Sequence, residues 1–199
     1  MKIIPLGEEC YTCECVQING LRQEAYPFDY VGHTYMKEIT AKFKNGFELL
    51  PKDVDIQLFE TGYYYTDRIN GFKYWHDTTH KDINEFTETE MNIFINKYNR
   101  RYTRLKNAID TGTDENLMFL CVNHFDNIYN DIYKEEDIVE FNNLIDKPIL
   151  AINYSPTLGD NDDTNIQFVS LPVNKDLPFE KSKLEFKNTL NEFISKIFN

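Results

Sequence analysis

The sequence predicts an α/β fold: a three-layer sandwich with a largely parallel sheet and an inserted β-hairpin, built as a single domain over residues 1–199. Three observations predict it. Apolar, β-branched and aromatic runs at 116–122, 148–154 and 165–171 read as strands, and a helical pattern separates the first two. A short strand passes through a glycine turn into a helix over residues 3–20. An Asn-Gly pair between two aromatic runs marks a hairpin near 61–76.

Each element has its own reason. Residues 3–6 are an apolar strand, and the helix after Cys10 is expected to end near Asn19-Gly20. Segments 61–67 and 72–76 flank the turn Arg68-Ile69-Asn70-Gly71 and carry Tyr63, Tyr64, Tyr65, Phe72, Tyr74 and Trp75. That aromatic set reads as hairpin packing, with a substrate wall as the sharper alternative. From 88 to 109, Met91, Phe94, Ile95, Tyr98, Tyr102, Leu105 and Ile109 form one helical stripe. Thr87-Glu88-Thr89-Glu90 supplies a capping box at its start, and Gly112 sits where the chain must leave. Arg100, Arg101 and Arg104 occupy the last two turns, where the helix dipole favours cations; anion binding is the other use for them. Residues 134–145 place Ile138, Phe141, Leu144 and Ile145 at helical spacing between two strands, a βαβ unit with a parallel pair. The loop Gly159-Asp160-Asn161-Asp162-Asp163 is acidic but lacks the later Glu that completes a calcium loop. Phe186, Leu190, Phe193, Ile194 and Ile197 close the chain as a helix.

Composition narrows the function. Lys plus Arg number 21 against 33 Asp plus Glu, a formal charge of −12. That average field repels polyanions, so neither a nucleic-acid partner nor a membrane partner is expected. No apolar run approaches the roughly 18 residues of a membrane span, and acid at Glu8 and Glu9 argues against a secretory leader. Four cysteines, three of them crowded between positions 10 and 15, lack the spacing of a secreted disulfide framework. The expectation is an acidic, soluble chain of the cytoplasm (a host's cytoplasm for a viral chain). With 15 Phe and 13 Tyr it builds a core without a metal or cofactor.

Cys10 is the informative residue. It falls at the start of a helix that follows the first strand, where unpaired backbone N–H groups stabilise a thiolate. The carboxyl ends of parallel strands are also where ligands collect. His124 follows the strand ending at Val122, on the sheet edge expected for Cys10, and is a candidate base by that placement. Two other uses of the cysteines stay open. Cys10-Tyr11-Thr12-Cys13 is a C-x-x-C at a strand-to-helix junction, as in thiol–disulfide oxidoreductases. Zinc on Cys10, Cys13 and Cys15 would need Cys121 or a histidine as fourth ligand, and no second paired half follows, so no metal is expected.

Leu6-Gly7-Glu8-Glu9-Cys10, then Gly20-Leu21-Arg22, then Ala25-Tyr26-Pro27-Phe28-Asp29-Tyr30 resembles a family of unknown function described as putative papain-like cysteine peptidases. That family pairs an L-G-x-x-C segment with a G-L-R and a Y/S-P-F-D-W block; Tyr30 stands here where Trp is usual. It continues with an aromatic segment ending in His, an arginine-bearing helix and a hydrophobic strand, matched by Gly71-Phe72-Lys73-Tyr74-Trp75-His76-Asp77 and Tyr98-Asn99-Arg100-Arg101-Tyr102. The resemblance covers roughly residues 3–154. It implies that Cys10 attacks a carbonyl, that His76 takes and returns its proton, and that Asp77 or Asp29 orients the imidazole. His80, four residues on, is a substitute for His76, whereas His33 reads as a surface-loop residue. Pro27-Phe28-Asp29 is otherwise a buried turn whose carboxylate caps backbone amides.

The family label implies an α+β, papain-like architecture, while the strand–helix alternation implies α/β; the periodicity decides for α/β. The expected function is a cysteine-dependent hydrolase or acyl transferase acting on a peptide or a small amide or ester, with Arg22, Trp75, Arg100 and Arg101 as substrate-binding candidates. Its alternatives are a non-enzymatic module that binds a ligand in the same cleft, and C-x-x-C redox exchange.

Overall fold

The computed structural model describes residues 2–7, 10–32, 34–59, 62–77, 79–110, 117–124, 134–154 and 165–199. His33, Gly112 and the acidic loop 159–163 lie outside the described residues.

Side-chain alternation in four short strands sets the main layer. β1 (Lys2–Gly7), β5 (Leu117–Val122), β6 (Ile149–Ile152) and β7 (Ile166–Val169) form an all-parallel sheet in the order β1-β5-β6-β7. The two-residue period sends Ile4, Leu6, Phe119, Cys121, Ile149 and Ala151 to one face, and Ile3, Leu120, Val122, Leu150 and Ile152 to the other. α2 (Met36–Asn45), α3 (Glu88–Asp110) and α4 (Glu135–Ile145) cover the first face; α1 (Cys10–Ile18) and α5 (Phe179–Phe198) cover the second. The sandwich is therefore α/β with helices on both faces, and the papain-like α+β alternative is set aside. Pro5 is tolerated because β1 is an edge strand, where one missing ladder donor is harmless.

The crossover from β1 to β5 carries a second, antiparallel sheet: β2 (Val54–Phe59), β3 (Gly62–Asp67) and β4 (Thr79–His80), in that order. The inserted hairpin is present, and only its second arm differs from the expectation. β3 and the turn are as the sequence reads, with Gly71 at φ 76° and its amide donating to the Asp67 carbonyl at 2.8 Å. The Asp67 carboxylate also accepts from the Ile69 and Asn70 amides, both at 2.9 Å. Residues 72–76 do not form a strand. They make two ladder bonds, Asp67 amide to Phe72 carbonyl and Tyr74 amide to Tyr65 carbonyl, before the chain turns over 75–77. The full-length partner of β3 is β2, which the sequence reading omits along with α2.

Tyr65 of β3 and Tyr74 beyond the turn point into the core. Tyr65 stacks on Phe94 at 4.5 Å and Tyr74 meets Tyr98 edge-on at 4.4 Å, each ring pair adding about 1 kcal/mol beyond area burial. The capping box forms as expected: the Thr87 amide donates to Glu90 Oε2 at 3.0 Å and the Glu90 amide to Thr87 Oγ1 at 3.2 Å.

Candidate active site

Cys10 opens α1 immediately beyond the carboxyl end of β1, and His124 stands just beyond the end of β5, with Gly7 and Val122 paired across the two strands. Both therefore occupy the carboxyl edge of the parallel sheet. Of the four thiols, Cys10 alone is partly exposed; Cys13, Cys15 and Cys121 are buried. Burial pushes the Cys15 thiol up to about 11 and the Cys121 thiol higher still. The Cys13 thiol is pushed up to about 12, by burial and then by the Asp29 charge. Lys187 of α5 pairs with Glu14 and lies within electrostatic reach of Cys10. An ammonium there, together with the helix start, favours a thiolate over a thiol.

Positions 10, 13 and 17 share one face of α1, and that face meets the turn at residues 26–30. The Tyr30 hydroxyl donates to Gln17 Oε1 at 2.9 Å and is in hydrogen-bonding contact with the Cys13 side chain. Asp29, 1% exposed, ties the turn together: its Oδ2 accepts from the Tyr26 amide at 3.0 Å and from Arg22 Nε and Nη2 at 3.0 and 2.8 Å. Tyr30 takes a left-handed conformation, φ 61°, a strained choice for a bulky aromatic. Three contacts hold it. Besides the Gln17 bond, Arg22 lies 5.5 Å over its ring, and Gly32 exchanges two backbone hydrogen bonds with Lys73 at 2.9 and 3.0 Å.

That last exchange brings the aromatic segment after the hairpin against the turn. His76 is exposed and its ring meets Tyr30 edge-on at 5.9 Å. Asp29, Tyr30, His76, Asp77, Lys97 and Arg101 line a cavity of about 290 Å³. Asp77 is held in it by Lys97 and by the Tyr98 hydroxyl, both donating to its carboxylate. The structure thus gathers Asp29, His76, Asp77 and Arg101 around one cavity; Cys10 is not among its lining residues and lies on the α1 face whose positions 13 and 17 meet Tyr30.

Other candidates fall elsewhere. His124 is 3% exposed and sits among Tyr11, Phe179 and Phe186, with ring centroids at 5.9, 5.9 and 5.2 Å. Burial, and then the Lys183 charge, pushes its imidazole down to about 4. His80 is clasped between Glu85 and Glu90, at 3.1 and 3.2 Å. Trp75 packs on Phe59 and Tyr64 and fills the space above Gly32. Arg22 is committed to Asp29. Arg100 faces a different groove with Lys2, Glu24 and Arg104, while Lys97 and Arg101, four apart, face the His76 cavity. Lys97, Tyr30 and Gln17 are absent from the sequence-derived site. The i, i+4 spacing of Lys97 and Arg101 beside Tyr98 is the available signal for the first and the Ala25–Tyr30 block for Tyr30; no local pattern marks Gln17.

Among the described residues, no group of three His, Cys, Asp or Glu side chains is arranged to hold a metal ion, and no helix is long and apolar enough to cross a membrane. Comparison with protein families matches residues 1–147 to the one described as putative papain-like cysteine peptidase. No curated protein and no solved structure matches the chain.

Proposed function

The chain belongs to the family described as putative papain-like cysteine peptidase, and from that premise we propose that it is a cysteine-dependent hydrolase or acyl transferase with Cys10 as nucleophile and His76 as general base. The Cys10 thiolate attacks a carbonyl carbon of a peptide, amide or ester. His76, having taken the thiol proton, returns it to the departing amine or alkoxide, leaving an acyl thioester. Water or another acceptor, deprotonated by His76, then releases the acyl group and restores the thiol. Asp77, next to His76 and anchored by Lys97 and Tyr98, is assigned to orienting the imidazole. Asp29 acts one step back, holding the turn that presents Tyr30.

What supports this reading is the placement of Cys10: the one partly exposed thiol of the four, at a helix start, on the α1 face whose positions 13 and 17 contact Tyr30, while His76 meets the same Tyr30 ring. His124 suits the role less, because a base with a pKa of about 4 holds a proton poorly near neutrality. Redox exchange is likewise disfavoured, since Cys13 is buried and its thiol is pushed up to about 12.

The test is the pH dependence of Cys10 alkylation by iodoacetamide, resolved by mass spectrometry against Cys13, Cys15 and Cys121. A midpoint well below the free-thiol value of about 8.5 is expected, rising in His76→Ala and unchanged in His124→Ala. A shift with His124→Ala alone would transfer the base to the sheet edge. A midpoint near the free-thiol value, indifferent to both histidines, would remove the hydrolase.

A further inference from the structure

The cavity beside His76 is lined by two carboxylates and two cations, but one of the cations has no ion-pair partner there, because Asp29 is already paired with Arg22 from outside the lining. Two pairs are closed, Arg22 with Asp29 and Lys97 with Asp77. Arg101, one turn beyond Lys97 on α3, lines the same cavity half-buried, its guanidinium 5.1 Å from the Tyr98 ring centroid. Among the described residues, no carboxylate lies within ion-pair distance of Arg101. Its charge reaches both neighbours: burial and then the Arg101 charge hold the Lys97 ammonium below its usual pKa, while at Asp29, whose carboxyl burial pushes up, Arg101 is among the charges that oppose the rise. A guanidinium stacked on an aromatic face loses little freedom on binding and offers a planar N–H edge that matches a carboxylate.

We propose that this cavity is a carboxylate-recognition subsite, in which Arg101 binds a carboxylate of the substrate beside the carbonyl that Cys10 attacks. Only the last clause rests on the Cys10–His76 reading; the binding itself needs the cavity alone. A monoanion fits better than a phosphate dianion, because a single guanidinium outside any ion pair faces it and the Asp29 and Asp77 carboxylates border the same space. The volume, about 290 Å³, suits a single residue rather than a large ligand. The carboxylate comes from an acidic side chain or from a free C-terminus, and the experiment separates the two.

The full chain is titrated with N-acetyl-Gly-Gly, with N-acetyl-aspartyl amide and with the neutral N-acetyl-Gly-Gly amide, following the His76 imidazole resonances by NMR. At least one acid is expected to bind about tenfold or more tighter than the amide, and whichever acid binds better identifies the source. Arg101→Gln is expected to abolish that margin, and Arg101→Lys, which keeps the charge, to retain part of it, so that a folding defect is not mistaken for lost recognition. Equal affinities for the three probes, a margin that survives Arg101→Gln, or tighter binding of inorganic phosphate than of either acid would overturn the subsite. The margin is expected to persist in Cys10→Ala. An ordinary Cys10 midpoint with the margin intact would therefore remove the hydrolase and leave the subsite standing.

Discussion

His124 shows how one side chain converts burial into a pH-dependent stability. Its ring lies against Tyr11, Phe179 and Phe186, and the folded protein protonates it only near pH 4, whereas an unfolded histidine titrates at about 6.5. The folded pKa is the depressed one, so this site costs nothing above about pH 6.5. As the pH falls from 6.5 towards 4, the unfolded chain binds the proton first and stability is lost. Linkage puts that loss at about 2 kcal/mol between pH 7 and pH 5. His124→Phe keeps a ring in the aromatic box but cannot titrate. Urea unfolding at the two pH values is expected to show a smaller loss in this variant than in the native chain, and an identical loss would mean that His124 titrates normally when folded. The same contrast between chemical type and environment runs through the thiols. The sequence marks Cys10 by its place at a helix start, and burial in the fold then separates it from Cys13, Cys15 and Cys121, which are all buried. His76 and His124 were both legible as candidates; their opposite exposures were not, because burial depends on segments distant in the chain.

At the scale of elements, the decisive piece is the 26–32 turn and its clasp on the hairpin. Lys73 gives both its N–H and its C=O to Gly32 and makes only a single bridge to β3 at Thr66. Phe72 and Tyr74 make the bonds to β3 while Lys73 faces the other way, and the turn over 75–77, with the Asp77 amide on the Tyr74 carbonyl at 3.1 Å, ends the pairing after one bridge although the aromatic pattern favours a strand. Sequence periodicity registers Phe72 and Tyr74 as inward-facing, which they are, but cannot show which backbone they pair with. α2 escaped notice for a local reason: Tyr35 at its N-cap makes no side-chain capping bond, so its start lacks the signal that marked α3 so clearly. β2 lies at the sheet edge and exposes Leu58 and Phe59, which blurs the alternation expected of a half-buried strand. The clasp yields its own prediction. A Cβ at position 32 would overlap the Trp75 indole, so Gly32→Ala must displace the ring or the turn, at about 1–3 kcal/mol of stability. Trp75 is the only tryptophan, so its emission should shift. The Cys10 alkylation midpoint should rise in the same variant, because Tyr30 and His76 are positioned through this clasp. An unchanged midpoint alongside a shifted emission would separate Trp75 packing from the site.

For the whole molecule, the family resemblance and the structural unit have different limits. The family match ends at residue 147, yet β6, β7 and α5 lie beyond it and supply half of the four-strand sheet. β6 pairs with β5 along its full length, and Phe186, Leu190 and Ile194 of α5 are buried against the face that carries α1. A chain cut after residue 147 would expose the β5 edge and the inner side of α1, which no helix N-terminal to the cut replaces among the described residues. Such a fragment is expected to lose cooperative unfolding by circular dichroism and to label at Cys15 as readily as at Cys10. A fragment that unfolds cooperatively with Cys15 protected would show the remaining layers to be sufficient. The sequence by itself determined the elements that depend on local rules: the parallel strands from their apolar runs, α3 from its stripe and capping box, and the Asn-Gly reversal from its glycine. It also determined the chemical candidates, a cysteine at a helix start with histidines elsewhere. Tertiary structure alone decided which of them meet. Burial, the Gly32–Lys73 clasp and the sharing of one cavity by His76, Asp77 and Arg101 are long-range contacts, and no periodicity along the chain encodes them.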